Sequence, residues 1–374
     1  MLFRSLALVG PSGCGKSTVA RAVLRLLPAG SRCEGGLELA GRDPRLLDRG
    51  ALRRLRGEAV GLVFQDPMTR LNPLLTIGDH LRDTLAAHRP QWRRPQARRR
   101  ACELLERVGI SPDRYDSYPH AFSGGMRQRL AIALALALDP PLVIADEPTT
   151  SLDVAVAGQV MAELVGLCQE SGSALLLISH DLALAGRWCQ EMAVLDQGRL
   201  VERAPARQLL LEPRTPLAQR LVHAAREREG GQRPEPPAAP LLLEIEDLRS
   251  WHPLPSPPWR PRWLKAVDGV SLGLRAGETI GVVGASGCGK SSLCRALMGL
   301  APVRGGVVRL RGEDLRRLRG GALRRARRDL QMVFQDPLAC LNPQLSVGEA
   351  VADPLLIHGL AGRREARERA RELL

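Results

Sequence analysis

The sequence contains the same phosphate-binding motif twice, and each copy follows a short apolar segment and precedes a helical pattern. The copies are Gly-Pro-Ser-Gly-Cys-Gly-Lys-Ser at 10–17 and Gly-Ala-Ser-Gly-Cys-Gly-Lys-Ser at 284–291. Both fit G-x-x-x-x-G-K-[ST], in which backbone amides at a helix N-terminus surround phosphate oxygens. The apolar segments 6–9 and 280–283 predict the strands that lead into the loops. The repeat therefore predicts two nucleotide-binding units in one chain.

Lysine usage supports this interpretation of the loops. Lysine and arginine together number 54, yet the lysines are only Lys16, Lys265 and Lys290. Two of these lie in the phosphate loops, where a compact ammonium fits between phosphate oxygens. The loop residues predicted to bind nucleotide are Gly10, Ser12, Gly13, Cys14, Gly15, Lys16, Ser17 and Thr18 in the first copy, and Gly284, Ser286, Gly287, Cys288, Gly289, Lys290, Ser291 and Ser292 in the second.

The arginine excess gives the chain a net charge of +14 at pH 7. The arginines are concentrated in three runs, at 89–100, 316–328 and 363–371. Such runs favour solvated helix faces, and contact with an anionic membrane surface or with nucleic acid remains the alternative. The cysteines include no C-x-x-C pair, which is typical of free thiols in a reducing cytosol. The longest apolar run, 130–138, is too short to cross a bilayer.

The internal repeat extends beyond the phosphate loops. Phe-Gln-Asp-Pro occurs at 64–67 and again at 334–337. Leu-Asn-Pro occurs at 71–73 and again at 341–343. The two halves of the chain are therefore predicted to share one fold.

Composition places the boundary between these halves. We predict a first domain over 1–226, a Pro-rich linker over 227–240 and a second domain over 241–374, because the linker residues cannot form a core. The Pro- and Trp-rich residues 251–263 favour an inserted loop near the start of the second copy.

The rest of the first half alternates strand and helix patterns. Apolar segments at 142–145 and 174–178 predict buried strands, and 154–170 predicts an amphipathic helix. Residues 192–195 and 200–202 predict a hairpin. This alternation is typical of an α/β fold with a mostly parallel sheet.

Polar side chains follow several of the predicted strands. Asp146 can hold Mg²⁺ through water, and Glu147 can polarise an attacking water. His180 is interpreted as a γ-phosphate sensor, with a packed strand-end histidine as the alternative. Gln65 and Gln335 each follow an apolar strand, where an amide can contact both Mg²⁺ and a mobile loop.

A glycine pair opens the apolar helical segment at 130–138. Residues 123–129 read Ser-Gly-Gly-Met-Arg-Gln-Arg. Glycines at a helix start let the backbone approach an anion, and the serine adds a hydroxyl donor. A simple helix N-cap is the other interpretation.

Together these motifs resemble those of ABC-type ATP-binding subunits, in the order found in that family. After the first phosphate loop come Gln65, the signature at 123–129, the Asp-Glu pair at 146–147, Ser-Leu-Asp at 151–153 and His180. The resemblance implies a P-loop α/β fold with a mostly parallel sheet, a helical signature subdomain and a small antiparallel β part. It also implies two tandem copies in this chain, both incomplete.

The amino-acid sequences of several segments are similar to those of one branch of that family. Residues 118–129, 66–73 and the tail at 212–222 resemble the oligopeptide, dipeptide and nickel importers. Residues 264–270 and 334–343 resemble the partner subunit of the same branch. The resemblance covers nearly the whole chain.

The family implies a mechanism and a set of partners. ATP would lie between the phosphate loop of one half and the signature of another half or chain, and the Gln loops would relay closure to permease subunits at the cytoplasmic face of the inner membrane. Trp251 would stack on adenine, with His252 or Trp259 as alternatives, or a tryptophan there would instead pack the inserted loop. The implied catalytic residues are Glu147, His180 and Gln65. The signature residues implied to bind nucleotide are Ser123, Gly124 and Gly125, and the implied Mg²⁺ contacts come from Ser17, Gln65, Asp146, Ser291 and Gln335.

Comparing the halves indicates that neither copy is complete. Residues 241–283 precede the second loop, whereas only 1–9 precede the first. A second signature and a second Asp-Glu strand would fall beyond residue 374. The chain is therefore expected to bind nucleotide but to hydrolyse it poorly alone.

The leading functional prediction is ATP hydrolysis that energises import of peptides or nickel. One alternative is a soluble ABC ATPase that acts on nucleic acid or ribosomes, although no nucleic acid partner is expected. Another is a remnant that binds ATP without turnover. These residues do not identify the transported substrate.

Overall fold

The computed structural model describes residues 3–65, 67, 70–150, 152–227, 239–257, 259–285, 287–334 and 340–374. The chain divides into two compact units, Met1–Gln232 and Arg233–Leu374. The predicted linker 227–240 lies largely outside the described residues, and the exact domain bounds remain predictions.

The first unit is built on one six-stranded sheet with helices on both faces. Its strands are β1 (Ser5–Val9), β2 (Val60–Val63), β3 (Leu142–Asp146), β4 (Ala174–Ser179), β5 (Glu191–Asp196) and β6 (Arg199–Pro205). Its α-helices are α1 (Lys16–Val23), α2 (Arg49–Arg54), α3 (Ile77–His88), α4 (Arg94–Arg107), α5 (Gly124–Ala135), α6 (Val154–Glu170), α7 (Leu182–Trp188), α8 (Ala206–Leu211) and α9 (Pro216–Glu227).

The strand order is β2-β3-β4-β1-β5-β6, and only the β5–β6 pair is antiparallel. The sequence-predicted strands at 142–145 and 174–178, the helix at 154–170 and the hairpin are confirmed. Because β1 to β4 are parallel, their carboxyl ends meet at one edge of the sheet. That edge carries the first phosphate loop.

Alternate residues of the central strands pack into two hydrophobic clusters, one on each face. Ala7 and Val9 of β1 join the larger cluster, which includes apolar residues of α3 to α7. Leu8, between them, joins the smaller cluster, which includes Ala20 of α1. Helix α1 is therefore anchored against the sheet directly behind the phosphate loop.

The second unit has a four-stranded antiparallel sheet. The strands are β7 (Leu241–Leu254), β8 (Arg262–Arg275), β9 (Gly305–Leu310) and β10 (Glu313–Asp314), and their order in the sheet is β10-β9-β7-β8. Among the described residues, none of the helices has both the length and the apolar character needed to cross a bilayer. The α-helices are α10 (Lys290–Leu297), α11 (Gly320–Asp329), α12 (Val347–Ile357) and α13 (Arg363–Leu373).

One prediction for this unit is wrong, and another is only partly confirmed. Residues 280–283 do not form the strand expected before the second loop, and Val283 is 91% exposed. Its counterpart β1 is hydrogen-bonded to β4 and β5 on either side, and the described part of the second unit places no parallel strand beside 280–283. The predicted insertion at 251–263 is only partly a loop, because β7 runs to Leu254 and β8 begins at Arg262, so the connection between the strands is shorter than expected.

A glycine in β2 allows close contact between that strand and α5. An ideal Cβ on Gly61 would lie 2.1 Å from the carbonyl oxygen of Ala135. We expect Gly61→Ala to lower the free energy of unfolding by about 1–3 kcal/mol through overpacking, measured by urea denaturation.

The matched control is Gly158→Ala in α6, where a Cβ would meet nothing within 4 Å. That variant is expected to gain up to about 1 kcal/mol from helix propensity. Equal losses in the two variants would contradict the packing argument.

Candidate active site

The first phosphate loop depends on glycines with positive φ. Gly10, Gly13 and Gly15 have φ values of 154°, 79° and 105°. A Cβ on Gly10 would lie 2.2 Å from the carbonyl oxygen of Leu195, at the end of β5. The loop therefore needs glycine both for its backbone conformation and for its contact with the neighbouring strand.

Lys16 directs its ammonium into this loop. Its Nζ donates hydrogen bonds to the carbonyl oxygens of Gly10 (2.9 Å) and Pro11 (2.8 Å), and the residue is only 5% exposed. The side chain is thus held by the loop that the sequence predicts to bind phosphate. Ser12 lies in the same loop, and Ser17 and Thr18 belong to the first turn of α1.

Ser17 and Asp146 bring two oxygens together beside the loop. The Ser17 hydroxyl donates to Asp146 Oδ1 over 2.9 Å. Burial raises the pKa of Asp146, the Ser17 hydrogen bond opposes this, and the neighbouring Glu147 adds to it. A hydroxyl and a carboxylate fit Mg²⁺, which binds oxygen ligands and takes the remainder from water and phosphate.

Three side chains hold the carboxylate of Glu147. Gln65 Nε2 and Thr150 Oγ1 each donate to Oε2 over 2.9 Å, and His180 Nδ1 lies 3.1 Å from Oε1. The backbone of Glu147 has a φ of 47°, and its N–H donates to the carbonyl oxygen of Ile178 over 2.9 Å. A left-handed conformation at a glutamate is uncommon and is maintained here by these contacts.

The sheet therefore gathers the polar residues predicted for the first site. Gln65 follows β2, Asp146 and Glu147 end β3, and His180 follows β4. Thr150 was missed because it lies in a turn after the strand. Its position three residues after Glu147 was the available signal, since a hydroxyl there can reach back to the carboxylate.

The signature residues lie at the start of α5. Ser123 is the N-cap, and its Oγ accepts a hydrogen bond from the Met126 N–H at 3.4 Å, so the N-cap interpretation is confirmed. A Cβ on Gly125 would lie 2.6 Å from Val156 Cγ1, and one on Gly124 would lie 3.5 Å from Leu152. Within the described residues, no hydrogen bond joins this segment to Lys16 or Glu147, and its nucleotide contact remains a prediction.

The second phosphate loop has nearly the same backbone as the first. Gly284, Gly287 and Gly289 have φ values of 158°, 79° and 103°. Lys290 Nζ donates to the carbonyl oxygens of Gly284 (2.6 Å) and Ala285 (2.8 Å). The second loop therefore adopts the conformation of the first although no strand directly precedes it among the described residues.

The surroundings of the two loops differ. In the described part of the second unit, no carboxylate is hydrogen-bonded to Ser291, unlike the Ser17–Asp146 pair. Cys288 and Ser292 flank the helix start as predicted. Ser286 and Gln335, like Ser151 of the first unit, lie outside the described residues.

The proposed adenine-stacking residue lies in β7. Trp251 Nε1 donates to Asp268 Oδ1 over 3.0 Å, and the Lys265 ammonium lies 4.8 Å from the ring centroid. One ring face is thus covered by a cation of the same unit. A role in stacking on adenine remains a prediction.

Comparison with known proteins identifies a family for both halves. The family described as "ABC transporter" matches residues 3–150 and 267–374. The chain is 37% identical to the glutathione import ATP-binding protein of Pectobacterium atrosepticum, over 99% of this chain and 65% of that protein. It is 39% identical to a peptidoglycan transport ATP-binding protein of Agrobacterium fabrum, over 94% and 65%.

A third relative extends the range of transported substrates. The oligopeptide transport ATP-binding protein of Mycobacterium bovis is 35% identical over 99% of this chain and 73% of its own length. The chain spans about two thirds (65%) of the length of the first two relatives.

Thr150 offers a test of how the Glu147 carboxylate is held. Thr150→Val keeps the shape but removes the hydroxyl, and we expect kcat for ATP hydrolysis to fall on the order of tenfold because a hydrogen bond to a charged group is lost. KM is expected to stay constant, since Thr150 bonds to Glu147 and not to the phosphate loop. Steady-state kinetics measure both values.

The conservative control is Thr150→Ser, which retains the donor and is expected to restore kcat. If valine and serine variants behave alike, the hydroxyl does not position Glu147.

Proposed function

The chain belongs to the ABC transporter family, and we propose that its first unit binds and hydrolyses ATP to energise import. The observation that supports this most directly is the meeting of Lys16, the Ser17–Asp146 pair and the Glu147 cluster at one edge of the sheet. A charge for phosphate, oxygens for a metal and a base for water are the three parts that phosphoryl transfer to water needs.

Each part has a defined task in the proposed reaction. The loop amides and Lys16 bind and orient the phosphates at the start of α1, where the helix dipole favours an anion. Ser17 and Asp146 would hold Mg²⁺, which would neutralise charge on the phosphate oxygens. Glu147 accepts a proton from the attacking water, and the neighbouring His180 contacts the γ-phosphate.

Gln65 links this site to a neighbouring cavity. The Gln65 amide donates a hydrogen bond to the Glu147 carboxylate. Phe64 and Pro67, close to Gln65 in the sequence, line the cavity. The cavity has a volume of about 460 Å³ and a largely apolar lining that includes Leu71, Ala131 and Leu134. We propose that a permease segment occupies it, so that docking and the position of Gln65 depend on each other.

We propose that two ATPase halves cover each bound ATP in the assembly. A signature from another ATPase half would cover ATP on the first loop, and Ser123–Gly125 would cover ATP on a second loop. The protein would then act at the cytoplasmic face of the inner membrane. The relatives' names favour peptides or peptide-like compounds as cargo, with nickel as the alternative from the sequence resemblance.

A different role fits the second loop. Lys290 is placed as Lys16 is, but the described residues of its unit give Ser291 no carboxylate partner. We therefore propose that the second loop binds nucleotide without hydrolysing it.

The ATPase proposal is tested by three single variants of the full chain. Glu147→Gln is expected to retain ATP binding and to lower turnover by roughly 10²–10⁴-fold, because the general base is lost. Lys16→Ala is expected to lower turnover and also binding at the first loop. Lys290→Ala should lower the nucleotide stoichiometry with a smaller effect on turnover. Binding is measured by calorimetry and turnover by phosphate release.

Wild-type binding without turnover would support the non-catalytic alternative. Turnover that survives Glu147→Gln unchanged would exclude this site as its source.

The permease contact is tested by a charge placed in the cavity. Ala131→Glu puts a carboxylate into the apolar lining, and we expect recovery of co-expressed permease subunits in pull-down to fall at least about tenfold, because burying an unpaired charge is costly. ATP binding by the free chain should not change.

Val154→Glu is the matched control, since Val154 is 91% exposed at the start of α6. Equal loss of permease with both variants would show that the cavity is not the docking site.

A further inference from the structure

The three arginine runs differ in how the structure neutralises them. Many arginines in two of the runs are paired with carboxylates. In the run at 89–100 the pairs are Arg89–Glu58, Arg98–Asp116, Arg99–Glu103 and Arg100–Asp139. In the run at 363–371 they are Arg364–Glu368 and Arg369–Glu365. Six of the eleven arginines in these two runs are therefore paired with a carboxylate.

The run at 316–328 is different. It contains no acidic residue, and Arg324, Arg325 and Arg327 are exposed and make no ion pair with any described residue. Arg317 pairs with Asp314 just before the run, and Arg328 lies 3.6 Å from Asp329, an acid that Arg311 also contacts. This segment thus keeps an excess of positive charge in the folded unit.

Helix α11 presents that charge on its outward side. Leu323, Ala326 and Leu330 line a small cavity together with apolar residues of α10 and β9. Arg327 contributes to the lining of that cavity, whereas Arg324, Arg325 and Arg328, which we call the arginine face, are exposed on the other side of the helix. Because the apolar side of the helix is used for packing within the unit, a partner would be attracted mainly by charge.

We propose that the arginine face binds the anionic phospholipid headgroups of a membrane surface. Each of the three guanidinium groups can donate two parallel hydrogen bonds to a phosphate. Lipid headgroups move freely in the membrane plane, so their phosphates can match the spacing of these groups. Residues 311–331 contain no aromatic side chain, which single-stranded nucleic acid binding would use for stacking.

An exposed apolar residue, Leu300, follows a glycine that lies near α11. Gly299 is near α11, since a Cβ on it would lie 3.6 Å from Arg327 Nη2. Leu300 follows it and is 57% exposed. An exposed leucine in the same unit suits the boundary between headgroups and acyl chains. The contact needs neither nucleotide nor a permease and is therefore separate from the proposed ATPase cycle.

The test uses the full chain and vesicle co-sedimentation. Vesicles of phosphatidylcholine alone are compared with vesicles that also contain phosphatidylglycerol, at low and at physiological salt. The triple variant R324Q/R325Q/R328Q is expected to bind the anionic vesicles on the order of 10²-fold more weakly, because each basic residue near such a surface contributes about 1 kcal/mol. The matched control, R99Q/R364Q/R369Q, removes the same charge from exposed arginines that each pair with a glutamate one helical turn away, and it should change binding less than about threefold.

Three results would overturn the proposal. One is equal binding of the wild-type chain to neutral and anionic vesicles. Another is an equal loss in both triple variants, which would reflect net charge alone. The third is displacement of the chain from vesicles by an oligonucleotide at the same phosphate concentration, together with weaker binding of that oligonucleotide to the triple variant of α11. Circular dichroism and urea midpoints of all variants establish that folding is unchanged.

Discussion

The hydrogen bonds that join β3 to β4 and β4 to β1 are the constraint on which the first site depends. They set Asp146 opposite Ile178 and Val9 opposite Ser179, so the ends of three strands lie at one level. Ser17 can then reach Asp146, and His180 can reach Glu147. A shift of one residue in either pair would turn each side chain to the opposite face and separate these groups.

That alignment places several charged groups in a small, partly buried volume. Asp146 is 6% exposed, and burial raises its pKa, so its ionised form is costly without a partner. The Ser17 hydroxyl compensates for part of this cost. The sign of the effect follows directly: this carboxyl group destabilises the folded chain when ionised, and the penalty disappears as pH falls through its raised pKa. A bound cation would relieve the same penalty without protonation.

The phosphate loops show how much of a site a local sequence can carry. Both loops adopt matching φ values, and both lysines bond to the corresponding carbonyls, although only the first loop follows a strand. The loop conformation could be predicted because glycines at fixed positions and a helix start are sufficient to produce it. The strand at 280–283 could not, because a parallel strand is stable only between neighbours, and sequence pattern gives no information on whether they are present. Thr150 was missed for a related reason, since its hydroxyl acquires a partner only through the turn after β3.

The sequence by itself determined the family, the two loops, the alternating α/β pattern and the identity of most polar residues in the first site. These features depend on spacing and side-chain chemistry along short segments. Tertiary structure alone decided that Gln65, Thr150 and His180 share one carboxylate, and that Arg324 and Arg325 of α11 lack the ion pairs that six arginines of the other two runs make. Both outcomes depend on which distant segments come within a few ångströms of each other, and only the folded chain fixes those distances.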